Sequence, residues 1–342
     1  RLALPDLHNP GCCGADMIIK QMLFSMMVAL GCGLGAAGPA SSESYPSRPI
    51  TLVVPFPAGG STDVVGRIVA ERMRTLLGQP VIIENVGGAG GSIGVGRIAR
   101  AAPDGYTLDI GQWDTHVGNG VLYPLTYDLQ KDFEPIGLLS TNPQLILGRK
   151  TLPADDLKGL VAWLKANPDK ATQAVQTAGA HVAGVLLQQA TGTRFQFVPY
   201  RGAGPAMQDL VSGHIDLLVT QAAVALPQVR SGAIKAFAVT SKSRSPVVPD
   251  IPTVDEGGVP GLYVAGWFGL FAPKGTPADI IAKLNAALVD VLADPNVRAR
   301  FADLGQEIAS REQQTPGGLA AFNKSEIEKW WPIIKAANIK GE

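Results

Sequence analysis

Pro49-Ile-Thr-Leu-Val-Val-Pro-Phe-Pro-Ala-Gly-Gly-Ser-Thr-Asp63 is the stretch from which the rest of the chain can be read. Its first part, Ile50 to Val54, is a run of β-branched and leucine residues, suited to a strand buried on both faces of a parallel sheet. Pro55-Phe56-Pro57-Ala58-Gly59-Gly60 then breaks the run with a loop whose glycines expose bare backbone. Ser61, Thr62 and Asp63 each suit the cap of a helix with Val65, Ile68, Val69, Met73 and Leu76 on its core face. Gly78 suits its stop. Strand, glycine loop and helix N-terminus together make an anion site, because unpaired N–H groups and the helix dipole both favour negative charge. The same pattern also serves as a tight βα turn that binds nothing.

Working outward, the chain keeps alternating. Val81–Ile83 and Thr107–Ile110 read as strands, with a glycine run at 87–94 and a helix at about 93–102 between them. Strands are expected at 133–139 and 145–147. A helix at about 155–166 follows, then a helix at 181–190, a strand at 195–198 and a helix at 205–212. The alternation ends with a strand at 215–219, a helix at 222–230 and a strand at 235–239. Such order predicts parallel βαβ units in an α/β fold. Val264 to Ala272 returns extended. Thr276-Pro277-Ala278-Asp279 resembles a capping box with proline at the first helical position. Pro295 opens a helix that Gly305 ends, and Pro332 is expected to kink or interrupt the last helix.

The chain has 342 residues, 46% of them hydrophobic, enough for a large core in two domains. It carries no basic block, so no nucleic-acid partner is expected. Residues 1–44 differ from the rest. Met17-Ile18-Ile19-Lys20 gives a short positive start, Met22 to Ala37 is uncharged and apolar, and small polar residues follow, the plan of a cleaved secretory signal peptide. Residues 1–16 read as an upstream translation artefact or cloning remnant. Cys12, Cys13 and Cys32 all precede residue 41, so the exported body needs no disulfides. Cys32 sits in a poor lipobox, its leucine one place too close, and no lipid anchor is expected. Without 1–44 the balance is 27 basic against 26 acidic residues, still neutral.

Further segments carry a resemblance. Tyr45-Pro46-Ser47-Arg48-Pro49, the Val54–Asp63 loop, Pro103-Asp104-Gly105-Tyr106 and Val198-Pro199-Tyr200-Arg201-Gly202 stand in a familiar order. So do Ala238–Ser241, Pro249–Thr253 and Trp267–Pro273. Over essentially all of 45–342 the chain resembles the Bug family, the periplasmic solute receptors of tripartite tricarboxylate transporters. The resemblance implies a two-lobed periplasmic-binding-protein fold (type II-like), an α/β Venus flytrap with its cleft between the lobes. Lobe 1 would span 45–147 plus 264–342 and lobe 2 148–263. It implies a non-enzymatic periplasmic receptor with no cofactor and no metal. This receptor would close on a small organic acid and present it, as a monomer, to the transporter's membrane subunits. A receptor feeding a sensor, with no transport role, is the alternative.

In that family the ligand carboxylate is held by backbone N–H groups and waters at the first βα loop. This carries over to Ala58, Gly59, Gly60, Ser61, Thr62 and Asp63, with Phe56 as an apolar wall. Family pockets also draw on segments matching Thr115, His116 and Asn119, the stretch ending at His181, the loop Tyr200-Arg201-Gly202, and Thr220-Gln221. Two departures stand out. The loop before His181, Ala171–Ala180, looks shorter and less polar than in many relatives, and no acidic residue stands near Thr220, which weakens an amino-acid ligand.

Other chemistries fit less well. Gly90-Gly91-Ser92-Ile93-Gly94 matches the nucleophile elbow of serine hydrolases, but that serine must sit directly at a strand end. Here six residues, four of them loop-favouring, separate Ile83 from Gly90, so a glycine loop entering a helix is the simpler reading. Gly88, Gly90 and Gly94 miss the dinucleotide spacing by one residue. His116, His181 and His214 have no metal-ligand spacing. Unaided by the resemblance, His116 and His181 read as structural histidines, His214 as a surface residue in a helix-to-strand turn, and Trp330 and Trp331 as helix packing.

Overall fold

The computed structural model describes residues 45–339; the export segment expected over 1–44, with its three cysteines, lies outside them. Strand β1 (Ile50–Val54) runs between β2 (Val81–Asn85) and β3 (Thr107–Gln112), parallel to both. Ile50, Leu52, Val53 and Val54 are fully buried, as a two-faced strand requires. Helix α1 (Ser61–Leu77) buries Val65, Ile68, Val69 and Met73, and Gly78 ends it in the left-handed region at φ 70°. Leu77 rather than Leu76 takes the last core position; Leu76 is 36% exposed. Helix α2 (Ser92–Ala99) leads to β3, and a π-helical turn over Asp114–Gly118 leads into α3 (Asn119–Leu122).

The two strands expected around 133–147 are one, β4 (Phe133–Arg149). Its residues are buried almost throughout, so nothing in packing marks an end. Next come α4 (Leu157–Ala166), β5 (Thr172–Val175), α5 (Ala178–Thr191), β6 (Gln196–Pro199), α6 (Ala203–Ser212), β7 (Leu217–Gln221), α7 (Ala222–Arg230) and β8 (Ile234–Val239). The segment expected as a short loop before His181 therefore holds a strand, a cap and the first turn of α5. The chain returns through β9 (Ala265–Pro273), α8 (Ala278–Ala293), α9 (Pro295–Asp303), β10 (Glu307–Ile308) and α10 (Pro316–Ala336).

Strand β4 changes partners along its length. Phe133 to Pro143 pair antiparallel with β9, which also pairs with β3. From Gln144 onward β4 pairs with β7 and β8, and β7 continues in parallel through β5 to β6. Pro143 stands at the changeover, where a residue with no N–H to donate is least costly. Two further sequence expectations fail for tertiary reasons. Thr276 does not cap α8; its hydroxyl donates to the Pro273 carbonyl at 2.8 Å, and Pro277 holds the cap position without a side-chain bond. Helix α10 runs on through Pro332. Trp330 and Ile334 are buried on either side of it, and Trp331 Nε1 donates to the Val117 carbonyl at 3.0 Å. Packing thus carries the helix across the missing N–H.

Candidate functional site

Ser61, Thr62 and Asp63 do not cap α1; they form its first turn. Gly60 holds the cap position in extended conformation and offers no side chain. The first-turn amides therefore have no acceptor inside the helix, and they are buried with their residues. The Thr62 hydroxyl donates to Gln112 Oε1 at 3.1 Å. Asp63 turns away and holds the loop in shape. Its carboxylate accepts from the Gly59 amide, from Arg67 Nε and from Asn85 Nδ2, each at 3.0 Å. Asn85 Nδ2 also donates to the Phe56 carbonyl at 3.0 Å. Burial would raise the Asp63 pKa, but bonds from Arg67, Gly59 and Asn85 outweigh it and hold the carboxyl below its usual range.

A depressed carboxyl stabilises the fold above its unfolded pKa of about 3.9, and that contribution is lost as pH falls through the folded value. Asp63→Asn should therefore cost about 1 kcal/mol at pH 7 and lose less stability on acidification than the parent. Urea melts at pH 7 and pH 3 measure both; equal loss in the two proteins would contradict the assignment.

Four helices begin at one cavity of about 50 Å³. The cap positions of α1, α5, α6 and α7 are Gly60, Thr177, Gly202 and Gln221, and all four residues line it. Only Thr177 makes a side-chain cap, to the Ala180 amide at 3.3 Å. No lysine, arginine or histidine lines this space. The helix starts turn the positive ends of their backbone dipoles towards it, and the ionisable side chain in its lining is the Asp114 carboxyl, so any hold on an anion would fall to backbone amides.

Of the residues expected at the site, Phe56, Ala58, Gly60, Ser61, Thr62, Gly202, Thr220 and Gln221 line this cavity. His181, Tyr200 and Arg201 instead line a wider cavity of about 680 Å³, shared with the Gly87–Gly91 loop. Phe56, Pro57, Gln176 and Thr177 border both spaces. The Tyr200 hydroxyl donates to Asp209 at 2.6 Å; burial and that bond push its pKa up to about 12. His181 lies edge-on to Phe197 with ring centroids 4.8 Å apart, and burial lowers its pKa. Gly59 is exposed, at φ 85°, and borders neither space.

Three expected contacts do not reach the cleft. Thr115, His116 and Asn119 are fully buried, because the π-helical turn folds them back into the core. Thr115 Oγ1 serves the Gln112 backbone and lies 3.0 Å from His116 Nδ1. The His116 ring stacks on Phe271 at 4.1 Å, with its Nε2 3.4 Å from the buried Asp109 carboxyl. Asn119 Nδ2 donates to the Gly90 carbonyl at 2.8 Å and steadies the glycine loop.

Sequence reading missed Pro57, Gln112, Asp114, Gln144, Gln176 and Thr177 in the cavity lining. Gln112, Gln176 and Thr177 stand at or just beyond the carboxyl ends of β3 and β5, where α/β folds place ligands, so position alone was a usable signal. Gln144 had none, since it is mid-strand. Ser92 gives no nucleophile: it starts α2 beyond the end of β2, is half-buried, and donates to the Ala89 carbonyl at 2.8 Å. Among the described residues no cluster of three metal-ligating side chains occurs, and no helix is long and apolar enough to cross a membrane.

Residues 65–339 match the model of the tripartite tricarboxylate transporter family receptor. The chain belongs to that family. Three solved structures are similar to this receptor over most of its length. One is the periplasmic binding protein BugD, at 40% identity and TM-score 0.83, covering 87% of this chain and all of that one. MatC from Rhodopseudomonas palustris, solved with bound malate, is 42% identical with TM-score 0.81, covering 85% and 100%. A second R. palustris protein, solved with adipate, is 31% identical with TM-score 0.83, covering 86% and 99%. The receptor thus has the two-lobed α/β fold of periplasmic binding proteins, and its family binds solutes and does not catalyse reactions.

Proposed function

We propose that this chain is a periplasmic receptor that closes over a small organic acid and presents it to the membrane subunits of a tripartite tricarboxylate transporter. The observation that carries the reading is the meeting of four helix N-termini in one cavity free of basic side chains. The ligand carboxylate would sit on the first-turn amides of α1, with Phe56 as the apolar wall and water completing its shell. Malate in one relative and adipate in another support a dicarboxylate of four to six carbons. On this reading lobe 1 is 45–147 with 264–342 and lobe 2 is 148–263, with β4 and β9 crossing between them. Closure would then be a hinge motion about those strands.

A thermal-shift screen of residues 45–342 against C4 to C6 dicarboxylates, amino acids and neutral analogues tests the proposal. An acid at 100 times its dissociation constant should stabilise the fold by about 2.7 kcal/mol. No shift with any acid, and no acid released from the denatured protein by mass spectrometry, would overturn the reading.

A further inference from the structure

One residue runs against a purely anion-binding cavity. Asp114 is the ionisable side chain in the lining of the narrow space, it is 3% exposed, and no basic side chain stands beside it there. Its carboxyl is held in place. Oδ1 accepts from the Gly179 amide in the first turn of α5, and the Thr177 hydroxyl bonds to the carboxyl as well. A Cβ on Gly179 would come within 3.0 Å of that oxygen and 2.9 Å of Gln144 Nε2, so the carboxyl sits tight against the helix start. Trp113, its neighbour, is buried edge-on to Trp330 of α10 with ring centroids 5.2 Å apart, which anchors the turn. Swinging Asp114 out to water would break both of its bonds.

Resting on the carboxylate reading above, we infer that the receptor binds its acid together with a proton, which the Asp114 carboxylate takes up from water as the anion enters. A space of about 50 Å³ takes only a few non-hydrogen atoms, so a carboxylate on the α1 amides lies close enough for the two negative charges to oppose each other. With no cation in the lining, two carboxylates in so small and dry a space do not both stay ionised. The helix-start amides favour the charge on the ligand, and Asp114 is the group that yields. Burial already raises its pKa, against the bonds from Gly179 and Thr177 that oppose the rise. A carboxyl raised further by the anion gains its proton as pH falls, so acid favours the bound state. Other titratable groups near the turn are engaged elsewhere. Asp109 and His116 face each other in the core at 3.4 Å, and Asp63 is paired with Arg67. Glu326 of α10 accepts from Trp330 Nε1, and the other charged residues of α10 are exposed. His181 of α5 and Tyr123 after α3 line the wider cavity.

Calorimetric titrations with malate and with adipate between pH 6.5 and pH 8 keep both acids largely ionised. Run in two buffers of different ionisation enthalpy, they count the protons taken up. The parent should take up as much as one proton per acid bound and bind more tightly as pH falls, by at most about 10-fold per pH unit. Asp114→Asn keeps an oxygen for the Gly179 amide and carries no charge. It should bind without proton uptake, at one affinity across the range, and more tightly than the parent at pH 8. His181→Gln should keep the uptake, and this arm decides the matter even if Asp114→Asn fails to fold. Uptake lost in His181→Gln would assign the proton to the wider cavity and overturn the inference. Binding at constant affinity without uptake would overturn it too and leave the carboxylate reading standing. Failure of every acid to bind would overturn both.

Discussion

Gly202→Leu should weaken binding of the acid at least roughly 30-fold, about 2 kcal/mol, while the unliganded protein melts close to the parent. Gly202 caps α6 with φ 168°, extended backbone that leucine also adopts, so the substitution carries no backbone strain. A Cβ there would lie 3.4 Å from the Pro57 ring, at the limit of ordinary contact, and the rest of the leucine must go into the cavity or move Pro57 away. Pro57 belongs to the β1–α1 loop and Gly202 to the turn before α6, so this contact joins the two helix starts that line the cleft. A side chain that props them apart removes the closed state the ligand must select. Calorimetry reads the affinity, and small-angle scattering reads whether the acid still compacts the protein. Unchanged affinity with normal compaction would show that closure does not bring these residues together.

His116→Leu should do the reverse, costing about 3 kcal/mol of stability and leaving the affinity within about twofold. The substitution removes the ring stacked on Phe271 and the neighbour of Thr115 Oγ1. It also strips the fully buried Asp109 carboxyl of a polar neighbour 3.4 Å away, and Asp109 has no hydrogen-bond donor of its own. Burial drives both groups neutral: it raises the Asp109 pKa well above its usual value and lowers that of His116 to about 3. The signs follow by linkage. His116, depressed in the fold, contributes stability fully present above about pH 6.5 and lost as pH falls towards 3. Asp109, raised in the fold, contributes stability fully present below about pH 3.9 and lost as pH rises. The gap between parent and His116→Leu should accordingly narrow from pH 7 to pH 4.5. Urea melts at those two values, with one titration of the acid, decide it. A tenfold loss of affinity at unchanged stability would instead return His116 to the ligand site.

Local signals reached far into this molecule. The apolar run at Ile50–Val54, the glycines at 59 and 60 and the stop at Gly78 depend on backbone preferences of a few adjacent residues, and the βα unit they predict is present. So is most of the alternation that follows, because periodicity of burial is written at the spacing of the element itself. Where short-range rules failed, a distant residue had overruled them. Pro332 was expected to break α10, but Trp331 is bonded to Val117 and its neighbours are buried. Thr276 was expected to cap α8, but its hydroxyl is taken by Pro273.

The cleft divides in the same way. The place of the loop Phe56–Thr62 at the cavity was readable because its free groups are its own amides, and amides follow from local conformation. His116 was misplaced because motif position says which loop carries a side chain but not which way a π-helical turn aims it. Gln144 was invisible for a related reason: it is an ordinary mid-strand polar residue until β4 is brought beside β7, while Gln112 and Gln176 carried only the signal of their position at strand ends. By itself the sequence determined the class of fold and the strand–glycine loop–helix unit at Ile50–Leu77, since both rest on contacts between near neighbours. Only the tertiary structure decided which polar side chains line the cavity and which are spent in the core, because that depends on how strands far apart in the chain lie side by side.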